Sequence, residues 1–126
     1  MSESAVNPPE GFITVPVEWM FNLTGEEMRR MCILRWRYTF FADMARKADP
    51  DADVTRVFWE SQQALCQLLG FAKTSRTKCG LFLKKMEEKG LLTIIREEVV
   101  VGARLMPRHY ISVNDPFIKE RYENAC

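Results

Sequence analysis

The sequence predicts a mainly α-helical fold with one small β-hairpin, an α+β domain, and three observations carry that prediction. Three stretches place apolar residues at i, i+3 and i+4 between a capping residue and a helix breaker. Two runs rich in β-branched residues lie near the C-terminus on either side of Gly102. The length, 126 residues, suits one hydrophobic core and is too short for two.

Residues 1–11 hold Pro8, Pro9 and Gly11 and little that packs, so they predict a mobile arm before a single domain over 12–126. "FITVPVEWMF" follows as an extended apolar segment with room for a short helical turn, because Pro16 confines Val15 to β or polyproline conformations. Thr24 and Glu27 have capping-box spacing and start a long helix running to about Lys47. Pro50 and its flanking aspartates end that helix. "VTRVFW" has the composition of a short strand. Ser61 caps a second helix whose stripe of Ala64, Leu65, Leu68 and Leu69 stops at Gly70. A third helix, capped by Thr74 or Ser75, carries Cys79, Phe82, Leu83 and Met86 on one face and ends with Gly90 at C′. "LLTIIREE" and "RHYISVN" are two hairpin strands joined by a tip over residues 99–107, and Asp115 with Pro116 opens a C-terminal helical tail.

Composition removes several classes of function. Cys32, Cys66, Cys79 and Cys126 are widely spaced and His109 is the sole histidine, so no zinc site is expected and the thiols should be reduced and mostly buried. "DPDAD" lacks the glycine and distal glutamate of a calcium loop and is a turn. No nucleophile–base set, paired-carboxylate motif or phosphate-binding glycine loop is present, so neither catalysis nor a cofactor is expected. No apolar run approaches the roughly 20 residues of a membrane span, and the N-terminus has no signal-peptide pattern, which predicts a cytoplasmic protein. Net charge is only +1, but residues 73–108 hold 9 Lys/Arg against 4 Asp/Glu. A positive block in a neutral chain points to a localised anionic partner.

Helix, short strand, helix, turn, helix and hairpin is the order of a winged helix-turn-helix. At "FITVP", "SQQALCQLLG", "LKKMEEKGLL" and "YISVNDPF" the chain resembles the winged-helix DNA-binding domains of plasmid and phage replication initiators and replisome organisers, over roughly residues 12 to 117. Between Gly70 and Gly90 it has about three residues more than that family's spacing, so either the turn is longer or the third helix gains an N-terminal turn. The resemblance implies double-stranded DNA as partner, in replication initiation or transcriptional regulation, with a replication or transcription protein as a further partner.

A recognition helix offers its N-terminal residues to the major groove. Here those are Lys73, Thr74, Ser75, Arg76, Thr77 and Lys78, with Arg76 able to make a bidentate contact to guanine and Lys84 and Lys85 placed to reach the phosphate backbone. The hairpin adds Arg96, Arg104 and Arg108, of which Arg104 is nearest the tip. The rival reading is a protein-interaction module whose basic helix docks an acidic partner without touching DNA, which the near-neutral total charge keeps open. On the long first helix Met31, Leu34, Tyr38, Phe41 and Ala45 form a core arc, bounded by Arg30 and Arg37 on one side and by Arg35, Thr39 and Asp43 on the other. A second arc of Ile33, Trp36, Phe40 and Met44 is either a homodimer interface or is covered by the chain's own N- and C-terminal segments.

Overall fold

The computed structural model describes residues 12–72 and 74–123, so the arm expected at 1–11 and Lys73 lie outside the described residues. Five helices and one hairpin follow in order: α1 (Glu18–Asn22), α2 (Gly25–Ala48), a 3-10 turn (Val54–Arg56), α3 (Gln62–Leu68), α4 (Arg76–Glu88), β1 (Leu92–Val101), β2 (Arg104–Val113) and α5 (Pro116–Glu123).

The capping box that starts α2 is complete. The Thr24 hydroxyl accepts from the Glu27 amide at 3.1 Å and the Glu27 carboxylate accepts from the Thr24 amide at 3.0 Å. Met31, Leu34 and Tyr38 are buried, as the core arc requires, but Arg35, Thr39 and Ala42, which lie outside that arc, are buried with them while Phe41 and Ala45 are only half-buried. Arg35 was expected to bound the arc from outside. It lies inside because Asp115, 80 residues away, accepts its Nε–H at 2.8 Å and supplies the counter-charge that a buried guanidinium needs.

"VTRVFW" is not a strand. The Asp53 carboxylate accepts from the Thr55 amide at 3.0 Å and from its hydroxyl, so a local side-chain bond turns the chain into one 3-10 turn and overrides the β-branched composition. Phe58, fully buried, makes the one backbone bond from this segment to the hairpin, its carbonyl accepting from the Ile111 amide at 2.9 Å.

The hairpin is longer than expected. β1 and β2 pair antiparallel from Leu92↔Val113 to Val101↔Arg104, so the tip shrinks from residues 99–107 to the two-residue turn Gly102–Ala103. Gly102 permits this by taking φ 65°, the left-handed conformation such turns demand. Gly90, at φ 79°, ends α4: its amide donates to the Glu87 carbonyl at 2.9 Å and the Leu91 amide to the Met86 carbonyl at 3.0 Å, a Schellman motif that reverses the chain into β1.

The core lies between α2, the α3–α4 pair and the base of the hairpin, with Met31, Leu34, Phe58, Leu69, Met86, Leu92 and Val113 fully buried. Trp19 brings α1 into it, and Ile118 and Tyr122 bring α5. Among the described residues no helix is long and apolar enough to cross a membrane.

Candidate nucleic-acid interface

Packing fixes which face of α4 is available. Cys79, Phe82 and Met86 are buried against α3, whose start is capped by the Ser61 hydroxyl accepting from the Ala64 amide. Cys66 on α3 meets Cys79 on α4, and burial together with that neighbour pushes the Cys79 thiol up to about 12, so it stays protonated and inert. The connection between Leu68 and Arg76 is closed by Phe71, which stacks under Arg30 (3.8 Å to the ring) and tilts against Phe82 (6.0 Å), while Arg30 Nε donates to the Leu69 carbonyl at 3.1 Å. The helix itself starts at Arg76.

Ser75 occupies the N-cap without a side-chain bond, and no acidic residue lies in the first turn. The N-terminal end of α4 is thus electropositive from its own dipole, and Arg76 and Lys78 add to that field. Thr74, Arg76, Thr77, Lys78 and Lys84 are exposed and Ser75 is half-buried. Thr77, Leu81, Lys84 and Glu88 fall on the outward face at helical spacing, with Leu81 61% exposed.

The basic block is less available than its composition implies. Lys85 is held by Glu27 at 2.6 Å, an ammonium hydrogen bond that, with the Thr24 amide, keeps the Glu27 carboxyl below its ordinary range. Arg96 makes two bonds to Glu87, at 2.9 and 3.0 Å, and lowers the Glu87 carboxyl in turn. Arg56 pairs with Glu97 at 2.7 Å, and Arg108 lies 3.9 Å above the Trp59 ring. Among the described residues, no ion pair engages Arg76, Lys78, Lys84 or Arg104. Of the expected site residues, α4 brings Thr74 to Lys78 and Lys84 together; Arg104 stands apart at the hairpin tip; Lys73 is outside the described residues.

The sequence reading singled out neither Leu81 nor the bond between Glu87 and Arg96. Leu81 was readable from its wheel position, whereas the bond linking Glu87 to Arg96, which fixes the hairpin against the Arg76 flank of α4, is tertiary and left no local signal. Within the second arc of α2, Phe40 and Met44 are exposed, whereas Ile33 and Trp36 are half-buried; Ile33 packs on the core, and the Arg37 guanidinium lies 5.6 to 5.8 Å from the Trp36 and Phe40 rings. Neither α1 nor α5 covers the whole arc. Compared with known protein families, characterised proteins and solved structures, the chain matches none.

Proposed function

We propose that the protein is a winged helix-turn-helix module that binds double-stranded DNA, with α4 entering the major groove and the hairpin serving as wing. The observation that carries this reading is the exposed, acid-free N-terminal end of α4. There Thr74, Thr77, Arg76 and Lys78 present hydroxyls and cations with no internal ion pair in the described residues, and Lys84 follows on the same exposed side. Arg76 is the base-reading candidate, because its planar fork matches the two acceptors of guanine. Leu81, outward between Thr77 and Lys84, fits an apolar contact to thymine methyl groups. Arg104 at the tip supplies a wing contact to phosphate or the minor groove.

The role is replication initiation or transcriptional regulation, on the strength of the motif resemblance alone. One observation keeps the rival reading in play: Lys85, Arg96 and Arg56 are already neutralised within the chain, which leaves few cations for the dense phosphate charge of a polyanion. Fluorescence anisotropy with a labelled duplex at about 50 mM salt separates the two, since phosphate-driven association is strongest at low ionic strength. Absence of any binding there, with the folded chain at high concentration, ends the DNA reading.

A further inference from the structure

The two edges of the hairpin differ. In a two-residue hairpin the residues flanking the turn form a hydrogen-bonded pair, so Val101↔Arg104 and every second pair behind it exchange backbone bonds. The even-numbered residues of β1 and the odd-numbered residues of β2 therefore direct their amides and carbonyls outward. A contact of the fold obeys this parity: the Ile111 amide donates outward to the Phe58 carbonyl at 2.9 Å. On β2 the outward position 107 is proline, which has no amide to offer, so that edge is blunted. On β1 the outward groups of Arg96, Glu98 and Val100 take no backbone bond from elsewhere in the described chain. Val100 is 72% exposed and Leu105, its cross-strand neighbour, 63%; Val101 and Met106 are exposed as well.

We propose that this open edge of β1 pairs antiparallel with the same edge of a second copy of the chain, Val100 facing Val100 of the second copy across a two-fold axis. The occupant is argued from register. With Val100 on the axis, Leu105, Val100 and their two mates make one unbroken apolar row across four strands. On the opposite face, Met106 and Val99 continue into Val101 of the second copy, and the reverse. Glu98 then lies opposite Gly102 of the second copy, so no carboxylates face each other and the missing side chain leaves room. One register thus sets the exposed apolar groups of the tip side by side in rows across the four strands, and two-fold symmetry is the usual solution for such self-complementary patches. The inference does not depend on DNA binding.

The test is sedimentation velocity of the full chain over a wide concentration range, with Val100→Pro as the decisive variant. Proline at 100 removes an outward amide and no bond within the hairpin, so the fold persists while the two bonds across the axis are lost. The wild type is expected to dimerise reversibly, and V100P to dimerise about 30-fold more weakly, the loss of two hydrogen bonds. Val100→Thr, which keeps the amide and the branched shape, should dimerise like the wild type. A wild type that stays monomeric throughout, or a V100P that dimerises equally well, overturns the proposal. So does a dimer abolished by Trp36→Glu but not by V100P, since that places the contact on α2. Should V100P fail to fold, hydrogen exchange of the wild type decides: the Val100 amide must gain protection with concentration, and no such gain refutes the pairing.

Discussion

If α4 meets DNA, the salt dependence of binding is set by the cations the fold leaves uncommitted. Among the described residues of α4 and the hairpin these are Arg76, Lys78, Lys84 and Arg104, so three or four phosphates are neutralised, depending on whether Arg76 sits on a base. Each contributes about −0.9 to the slope of log K against log salt, which gives a slope between about −2.7 and −3.6. Raising salt from about 50 to about 200 mM should then weaken binding by roughly 40- to 150-fold. Lys84→Ala should bring the slope about 0.9 closer to zero. Lys85→Ala, one residue along, should leave it unchanged, because Glu27 already holds that ammonium at 2.6 Å. The assay is anisotropy of a labelled duplex across a potassium chloride series, with both variants checked for native thermal unfolding. Equal effects of the two substitutions, or a wild-type slope weaker than about −1, would refute the reasoning that internal pairing selects the contacts.

Arg76→Ala should cost ~1 to 3 kcal/mol on a specific site and relax preference at one base pair; equal binding of all sequences by wild type and variant in a competition assay rules out direct readout. Asp115→Ala should destabilise the fold by about 3 to 5 kcal/mol in chemical denaturation, because it strands the buried Arg35 charge and removes the cap of α5; a loss under about 1 kcal/mol contradicts this account. Glu27 has its folded pKa below the ordinary 4.5, so the stability it contributes is present above that pH and is lost as pH falls through the folded value. Glu27→Gln should therefore flatten the melting temperature against pH below about 4.5, with a cost at neutral pH under about 1 kcal/mol; an unchanged acid limb counts against the role of the Lys85 bond.

Much of the fold was legible because its boundaries are local. Thr24 with Glu27, Ser61 and Asp115 with Pro116 cap the helices that composition assigned to them, and Gly90 ends α4 as its place in the sequence implies. The misses have two physical sources. Around Val54 an aspartate side chain outcompeted β propensity, and at the hairpin tip Gly102 let the strands pair to within two residues of each other. Pro107, at the end of the expected tip, sits in β2 at an outward position where its missing amide costs the ladder nothing. The basic helix was readable as charge, but its available charge was not: Lys85 and Arg96 are neutralised by Glu27 and Glu87 through contacts that no local pattern encodes. Arg35 was misplaced for the same reason, since its partner lies 80 residues further along.

The junction between α4 and the hairpin has a further consequence. Asn114 donates its side-chain amide to the Gly90 carbonyl and the Thr93 hydroxyl, its backbone amide bonds the Leu91 carbonyl at 2.8 Å, and Glu87 grips Arg96 twice higher up. Helix and hairpin are thereby fastened at both ends of their contact and present one preset angle. A partner spanning both must conform to that angle, and a DNA duplex would do so by bending or by changing groove width. The stiffness of the duplex would then enter the binding free energy, and sequences with pliant pyrimidine–purine steps between the two contacts would be favoured at base pairs that no side chain touches.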